Sequence, residues 1–401
     1  MQVNLPKTES CRVCGSHEIF KLLDRGSVPV NQHRLMASPD GARQMSRGRL
    51  HMRVCQSCGF VFNGAFEHDL IYYGREYDNT QAHSESFGAY AEELVDLLVH
   101  AKGVQNCRIV EVGCGKGHFL RRLVARHPAN FGDGYDPSYQ GKLTAAAGRL
   151  NFHKSLFDPR SVDAAPDVVI CRHVIEHIEQ PLQLLRDVRE ALGDASSAKV
   201  FFETPCIEWI LRENVIWDFF YEHCSLFSAE SLSTAFRAAG FQVESVDHVF
   251  GGPYLWLEAT PTQPQPHGGT DSGTAALAAE YARGEARRIA DLRKRASQVK
   301  AEGDIALWGA GAKGVTFAQL IDPDRELISS VVDINPQKQG RFLPGSGHKI
   351  IGPERLKDAN IKSALVLNPN YRAEIVDLLA EQQCEIDVID VMKWIGDYQC
   401  N

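Results

Sequence analysis

Two Cys-x-x-Cys-Gly motifs near the start of the chain have the residue types of a metal site. The first holds Cys11 and Cys14, and the second holds Cys55 and Cys58. Each motif can turn two thiolates toward one ion, and two such turns complete a tetrahedral zinc site. Because protein ligands would fill all four positions, we expect a structural zinc. Two unrelated pairs of free or redox thiols are the alternative reading.

A glycine loop, Glu111-Val-Gly113-Cys-Gly115-Lys-Gly117, stands between an apolar run and a helical pattern. Its glycines let the backbone approach a bound small molecule, and the helix start presents free amides there. Asp136 lies nineteen residues beyond Gly117, at the end of the next predicted strand. A carboxylate at that place can accept both hydroxyl groups of a ribose.

Two later segments carry acid and base side chains. His173 and His177 follow an apolar run, and they would share one face if the segment is helical. That spacing also suits a metal, but the sequence offers no third ligand, so we disfavour one. Tyr221, Glu222 and His223 are consecutive in an aromatic setting, where burial would shift their pKa values. A partly buried structural histidine is the alternative.

A second glycine loop near the C-terminus, Gly309-Ala-Gly311-Ala-Lys313-Gly314, also follows an apolar run. With Asp333 at the end of the next strand, it could bind a dinucleotide and make the protein an oxidoreductase. The third glycine of the dinucleotide fingerprint is displaced, however, and a lysine stands in the loop. This arrangement suits a pyrophosphate without requiring a nicotinamide.

The elements that must position these residues alternate between strands and helices, which favours a parallel sheet covered on both faces. Strands are predicted at 107–112, 131–135, 150–153, 167–171, 198–203, 241–249 and 254–259, and helices near 117–126, 138–148, 181–192 and 229–239. No helix separates the last two strands, so the seventh should run antiparallel to its neighbours. A linker is expected at 260–274, a charged helix at about 275–300, and a second α/β pattern after it.

The first glycine loop, the strand order and the antiparallel seventh strand resemble class I S-adenosylmethionine (SAM)-dependent methyltransferases. The resemblance implies that Glu111 holds the loop amides or the amino group of the methionine part. It also implies that Gly113 and Gly115 line the methionyl chain, with Gly117 completing the site and Asp136 binding the ribose.

Longer blocks resemble the three-domain, zinc-containing sugar C-methyltransferases that make branched deoxysugars in natural-product or polysaccharide biosynthesis. They are residues 77–84 (YDNTQAHS), 221–227 (YEHCSLF), 308–317 (WGAGAKGVTF), 332–342 (VDINPQKQGRF) with the following PGSGH, and 368–372 (NPNYR). The resemblance covers nearly the full chain. It implies a nucleotide-linked keto-deoxysugar, with thymidine diphosphate as the expected carrier, that is methylated on the carbon beside its ketone.

That resemblance also implies roles for individual residues. His223 would be the base, Glu222 and His177 would orient it or relay protons, and Tyr221 would be the enolate partner or a second acid. Five further cofactor contacts are implied: Tyr77, Gln81, Leu156, Phe157 and His173. Core positions for Leu156 and Phe157, and an adenine contact by Asp158, remain open. The expected nucleotide-sugar contacts are Lys313, Arg341 and Tyr371, with interdomain packing as their alternative.

Length, composition and charge limit the class of protein to which these assignments can apply. The chain has 401 residues, 44% of them hydrophobic, and a net charge of −8. The acidic balance disfavours nucleic acid and anionic membranes, and the sequence shows neither a membrane span nor a signal peptide. We expect a cytoplasmic enzyme, monomeric or homodimeric. An O- or N-methyltransferase acting on another small metabolite is the alternative function.

The predicted fold class is α/β, with three domains. A small zinc-binding domain is expected over residues 1–70. A Rossmann-like, seven-stranded class I SAM methyltransferase domain would cover residues 71–260. A C-terminal Rossmann-like α/β domain that binds substrate would cover residues 261–401.

Overall fold

Three β-sheets organise the part of the chain that the structure describes. The structure, a computed structural model, describes residues 10–71, 83–195, 197–265 and 273–396. Over these ranges, seventeen strands form sheets of four, eight and five strands, accompanied by ten α-helices. None of the described helices is long and apolar enough to cross a membrane.

The four-stranded sheet belongs mainly to the cysteine-rich segment. Its strands, in spatial order, are β1 (Ile19–Pro29), β2 (Arg47–Cys55), β3 (Val61–Asn63) and β10 (Ser225–Leu226), all antiparallel to their neighbours. A short helix, α1 (Pro39–Arg43), lies between β1 and β2. The fourth strand comes from the middle of the chain, so this sheet crosses the predicted boundary at residue 70.

The eight-stranded sheet has the spatial order β11-β12-β9-β8-β4-β5-β7-β6. Its strands are β4 (Arg108–Val112), β5 (Phe131–Tyr135), β6 (Thr144–Ala145), β7 (Leu150–His153), β8 (Val168–Arg172), β9 (Lys199–Pro205), β11 (Phe241–Val249) and β12 (Tyr254–Pro261). The prediction for the seventh strand is confirmed, because β12 pairs antiparallel with both β9 and β11.

Five helices accompany this sheet in the described residues: α2 (Glu85–Asp96), α3 (His118–Ala125), α4 (Pro181–Leu192), α5 (Ile207–Arg212) and α6 (Ala229–Ala238). Helix α4 starts at a proline, whose fixed φ suits a first turn, and it ends before Gly193. Helix α6 begins with a capping box formed by Ser228 and Ser231. Helices α3, α4 and α6 match predicted helices, whereas α5 was not predicted.

The helix predicted near 138–148 is wrong. The structure has there the two-residue strand β6, which pairs antiparallel with β7 and adds an eighth strand to the sheet. Ala146 and Ala147 then adopt left-handed backbone angles, with φ of 50° and 55°. Such angles interrupt a right-handed helix, so pairing with the exposed edge of β7 overrides the helical preference of the alanines.

The five-stranded sheet is parallel throughout, with the order β15-β14-β13-β16-β17. Its strands are β13 (Asp304–Trp308), β14 (Ile328–Val332), β15 (Ile350–Ile351), β16 (Ile361–Val366) and β17 (Asp387–Asp390), and the nearby helices are α7 (Thr274–Glu302), α8 (Ala312–Ile321), α9 (Arg372–Glu381) and α10 (Val391–Gly396). Helix α7 is the predicted charged helix.

One apolar core joins the first and third sheets. Leu50 of β2, Trp217, Tyr281 of α7 and Leu307 of β13 belong to the same buried cluster. The rings of Trp217 and Phe317 contact each other with centroids 5.6 Å apart. The chain just before the Tyr221-Glu222-His223 segment is therefore fixed between the two sheets.

Candidate active site

A cavity of about 310 Å³ lies where the carboxyl ends of the strands of the second and third sheets face each other. The second sheet and its loops contribute histidine, acidic and aromatic side chains, among them His173, Glu176, His177, Asp218, Phe220, His223 and Tyr254. The third sheet contributes its glycine loop and the segments after β14 and β16, among them Gly311, Lys313, Lys338 and Tyr371. The cavity thus brings together residues that lie far apart in the sequence.

His177 and His223 form the centre of the polar cluster. His177 ends a 3₁₀ turn after β8, and His223 precedes β10 by two residues. Their ring centroids are 4.9 Å apart and their planes nearly perpendicular, while the ring of Phe220 lies 3.9 Å from that of His223. One polar atom each from Glu176, His177 and His223 lies within 4.8 Å of the others.

Both of these histidines are in environments that favour the neutral ring. Burial lowers the pKa of His177, against an opposing effect of Glu176. Burial is the main cause that lowers the pKa of His223 well below its ordinary value. The nearby His177 and Lys313 lower it further. A neutral imidazole can accept a proton, so the geometry and the charges suit a general base.

His173 lies in a different electrostatic environment. Its Nε2 is 3.3 Å from Glu203 Oε1, and its Nδ1 is 3.6 Å from Glu176 Oε1. Burial opposes the charge on its ring, but Glu203 and Glu176 more than offset this, and the pKa of His173 rises to about 9. The spacing argument that put His173 and His177 on one helical face is wrong, because His173 has a φ of 54° and precedes the 3₁₀ turn.

The Glu203 carboxylate organises a buried network beside the cavity. It accepts hydrogen bonds from Tyr90 Oη at 2.6 Å and from Arg172 Nε at 2.6 Å. Burial opposes its ionisation, yet Arg172 and His173 lower the pKa of Glu203 to about 2. Glu203 is therefore a permanent anion at ordinary pH, and sequence reasoning had assigned it no role.

Glu176 is another site residue that sequence reasoning missed. Its side chain is buried and lines the cavity, and Oε2 accepts a hydrogen bond from Thr204 Oγ1 at 3.1 Å. Among the described residues, Oε1 has no hydrogen-bond partner. The adjacent pair Glu176-His177 after a predicted strand was the available signal.

Two residues of the Tyr221-Glu222-His223 segment do not occupy the predicted places. The Tyr221 ring is fully buried outside the lining of the cavity, and its hydroxyl exchanges hydrogen bonds with the backbone of Glu67. The Glu222 carboxylate accepts from the backbone amide of Gln32 at 2.8 Å. The backbone of Glu222, rather than its carboxylate, makes a hydrogen bond with His177. These placements correct the assignment of Tyr221 as enolate partner and of the Glu222 side chain as orienting group.

Two of the three predicted nucleotide-sugar contacts line the cavity, and the third does not. Lys313 and Tyr371 line the cavity, whereas Arg341 is exposed on the protein surface and does not. The buried Lys338 lines the cavity in its place, because the segment after β14 turns Lys338 back toward the glycine loop. Lys313 Nζ donates a hydrogen bond to Asp218 Oδ1 across the cavity wall.

Asp333, at the position that a dinucleotide site would use for a ribose, holds the glycine loop. Its carboxylate accepts from the amides of Ala310 and Asn335, each at 2.8 Å, and lies 3.3 Å from Lys338 Nζ. Gly314 packs so closely under the loop that an added Cβ would lie 1.9 Å from the carbonyl oxygen of Gly309. The loop is thus fixed by the protein's own side chains.

The first glycine loop has the geometry of a small-molecule site. Gly113, Gly115 and Gly117 all have left-handed φ values, between 53° and 75°, and Gly117 is the N-cap of α3. Asp136 Oδ2 accepts from the Gly115 amide at 2.9 Å. Glu111 is buried at the start of the loop, and burial raises its pKa to about 8.

The remaining predicted cofactor contacts are less informative. Leu156 is 70% exposed, and Phe157 packs against Tyr135 with ring centroids 5.3 Å apart. Asp158 pairs with Arg160 through its carboxylate. Tyr77 and Gln81 lie outside the described residues.

The four predicted metal ligands converge. The Sγ atoms of Cys11 and Cys58 are 3.6 Å apart, those of Cys14 and Cys55 are 3.5 Å apart, and all four lie within 4.8 Å. Tetrahedral zinc with Zn–S bonds of about 2.3 Å separates its sulfurs by about 3.8 Å. The donor set and its spacing therefore fit a zinc ion.

Comparison with known proteins agrees with this organisation. The family model described as a methyltransferase domain matches residues 82–246, and that of a C-methyltransferase C-terminal domain matches residues 272–385. The C-methyltransferase NovU of Streptomyces niveus is 26% identical over 94% of this chain and 93% of its own length. The tRNA U34 carboxymethyltransferase of Campylobacter jejuni is 29% identical over 26% of this chain and 37% of that protein.

Among solved structures, CalO1, a methyltransferase in calicheamicin biosynthesis, matches with a TM-score of 0.35 and 18% identity. The match covers 44% of this chain and 54% of CalO1. The C-terminal domain match and the similarity to NovU support a C-methyltransferase. The strand order and the methyltransferase domain match identify the protein as a SAM-dependent methyltransferase with a class I methyltransferase fold.

Proposed function

We propose that the protein methylates the carbon beside the ketone of a nucleotide-linked keto-deoxysugar, giving a branched-chain sugar. Thymidine diphosphate is the expected nucleotide carrier. The observation that carries the proposal is the shared cavity, in which a neutral imidazole and a lysine-bearing glycine loop face the same space. One part suits proton removal, and the other suits a pyrophosphate.

The chemistry explains the need for both a base and a ketone. A carbon beside a ketone can lose a proton because the resulting charge is delocalised onto oxygen. His223 takes this proton, while Phe220 packs against its ring and the backbone of Glu222 holds the neighbouring His177. When bound, SAM supplies the electrophilic methyl group.

The C-terminal sheet is the proposed site of the nucleotide part. Lys313 and Lys338 carry positive charge to the cavity wall, and Tyr371 offers a ring and a hydroxyl. The start of α8 at the glycine loop presents backbone amides, which favour phosphate oxygens.

We also propose that SAM binds at the first glycine loop. Gly115 faces open space, whereas Gly113 and Gly117 allow Val174 and Phe152 to pack against the loop. Glu111 stands at the start of the loop, and Asp136 binds the Gly115 amide. Four thiolates, from Cys11, Cys14, Cys55 and Cys58, would hold a structural zinc. That ion would stabilise the first sheet and take no part in the chemistry.

Deuterium wash-in tests the proposal. The protein is incubated in heavy water with SAM and a thymidine-diphosphate-linked 4-keto-deoxysugar, and both methylation and exchange at the carbon beside the ketone are followed. The intact protein should catalyse both. His223→Ala should lower the exchange rate by about 100- to 10,000-fold, the usual contribution of a general base.

His100→Ala is the matched control, because this histidine is exposed in the π-helical turn that follows α2. It should leave exchange unchanged. Exchange that survives in His223→Ala at the rate of the intact protein would contradict the base assignment. Methylation without any exchange would instead favour the alternative, an O- or N-methyltransferase.

A further inference from the structure

We propose that His173 is a further catalytic residue, whose protonated ring donates a hydrogen bond to the ketone oxygen and stabilises it as an enolate forms. The inference rests on the function proposed above, since only a ketone substrate develops charge on that oxygen. It gives a role to a residue that the sequence placed only among the cofactor contacts.

The backbone of His173 is the first observation. It follows directly on β8, and its φ of 54° is uncommon for residues other than glycine, although histidine adopts such values more often than most. Its amide donates to the Glu203 carbonyl at 2.9 Å, which fixes the turn. Strained backbone of this kind concentrates at functional sites, where it aims a side chain. Here the side chain is directed into the cavity.

The second observation is that carboxylates lie near both ring nitrogens. Glu203 on β9 lies 3.3 Å from Nε2, and Glu176 in the 3₁₀ turn lies 3.6 Å from Nδ1. The other ionisable groups that face this region are Arg172 on β8, Tyr90 on α2, Tyr254 on β12, and the rings of His177 and His223. The anionic pair outweighs these groups and keeps the ring charged, in agreement with its raised pKa of about 9.

The two nitrogens are not equivalent toward the cavity. Nε2 is buried, whereas the side chain as a whole is 24% exposed. The proposal assigns the donated proton to Nδ1. Its distance of 3.6 Å from Glu176 exceeds that of an ordinary hydrogen bond, so this proton is not held tightly by the protein.

The three histidines of the cavity thus have different roles in the proposed reaction. A base must be neutral before it acts, and a group that stabilises an oxyanion must already carry its proton. His177 and His223 meet the first condition through burial and positive neighbours, and His173 meets the second through Glu203 and Glu176. A single environment could not supply both states.

The proposed reaction has two steps, proton removal and methyl transfer. His223 takes the proton from the carbon beside the ketone, and the electrons of that C–H bond form a carbon–carbon double bond. The carbonyl π electrons move onto the oxygen, which accepts the hydrogen bond from His173. The carbonyl then re-forms, the double-bond electrons make the new bond to the methyl carbon, and the sulfur–methyl bond breaks with its electrons staying on sulfur. His173 keeps its proton throughout.

The charge on His173 can be measured directly. The full-length protein is labelled with ¹⁵N-histidine, and the His173 ring signals are assigned as those missing from His173→Gln. At pH 8 they should show a doubly protonated imidazole, which loses a proton only near pH 9. A ring that is neutral at pH 8 would overturn the proposal.

The rate of deuterium wash-in with the thymidine-diphosphate-linked keto-deoxysugar tests the catalytic role. His173→Gln replaces a charged donor by an uncharged amide and should slow wash-in by about 100- to 1,000-fold. His173→Asn carries the same amide and tolerates the left-handed backbone better, so its rate should lie between those of His173→Gln and the intact protein. The intact protein should also lose rate above about pH 9, and His173→Gln should not, a difference that a structural role would not produce.

SAM affinity and thermal unfolding confirm that each variant is folded, and His100→Gln serves as the control for histidine loss at an exposed site. Wash-in by His173→Gln at the rate of the intact protein would overturn this inference alone. If the intact protein itself fails to exchange or to methylate the ketone substrate, the proposed function fails, and the catalytic role of His173 fails with it.

Discussion

His223 and His173 show how neighbours, rather than residue type, set the charge of a side chain. His223 packs against Phe220 and is close to several positively charged groups, whereas His173 lies between two carboxylates. The sequence shows both as histidines near apolar runs. The raised pKa of His173 depends on Glu203, which is 30 positions away in the sequence.

Tyr221 supports a prediction that differs from the sequence-based role. The backbone amide of Glu67 donates to its hydroxyl at 2.8 Å, away from the cavity. Tyr221→Phe should therefore lower the free energy of unfolding by about 1 kcal/mol, because the Glu67 amide loses the hydrogen bond to the tyrosine hydroxyl. Chemical denaturation measures this loss. Wash-in per folded molecule should match that of the intact protein, and a rate reduced in proportion to that of His223→Ala would refute this placement.

The sequence predicted the chemistry of the Tyr221-Glu222-His223 segment but not the direction of each side chain. Consecutive residues leave an extended or turning backbone on different sides, so three neighbours cannot all reach one cavity. Only His223 does so. Arg341 and Lys338 are a second example of a side-chain direction that the sequence does not predict. A turn joins these two nearby cations, and it is Lys338 that faces the cavity.

At the scale of elements, the strand β10 ties the proposed base to the cysteine-rich sheet. Ser225 and Leu226 pair with Phe62 and Val61 of β3, and the Asn63 amide donates to the Cys224 carbonyl at 2.9 Å. Strand β3 begins three residues after Cys58. The position of His223 therefore depends on the thiolate cluster through one short strand pair.

Loss of the metal should therefore displace the base without emptying the SAM site. Cys58→Ser, or treatment with a chelator, should lower zinc content, lower the midpoint of thermal unfolding and reduce wash-in together. SAM affinity should stay close to that of the intact protein, because the first glycine loop lies on the second sheet. Zinc analysis, calorimetry and titration with SAM provide the readouts.

Cys384→Ser is the matched control, since this half-buried thiol follows α9 and is remote from the cluster. It should change none of the three quantities. A Cys58→Ser protein that has lost zinc but exchanges deuterium at the full rate would show that β10 holds His223 without help from the metal.

The elements themselves were largely predictable, and the exceptions have local causes. The strand order of the second sheet follows from short β-branched runs separated by helical patterns. The extra strand β6 and the pairing of β10 with β3 involve two residues each. Runs that short carry no periodicity, so tertiary pairing alone decides them.

At the scale of the whole molecule, contacts between the second and third sheets close the cavity. Asn370 Nδ2 donates to the Phe250 carbonyl at 2.6 Å, and Lys313 pairs with Asp218. These pairs are 120 and 95 positions apart in the sequence. The sequence predicted two α/β units, but it could not predict which residues join them.

Glu374 provides the most specific test of this closure. From α9 it accepts hydrogen bonds at the start of α2, from Ser84 Oγ at 2.9 Å and from the Ser86 amide at 3.1 Å. A carboxylate there satisfies free amides and complements the helix dipole, an effect of about 1 kcal/mol. Glu374→Ala should therefore raise the KM for the nucleotide sugar about fivefold and leave SAM affinity unchanged. Glu381→Ala, an exposed position on the same helix, should change neither. Equal KM values for the two variants would mean that the cavity closes without this contact, leaving Lys313 and Asn370 to hold the two sheets together.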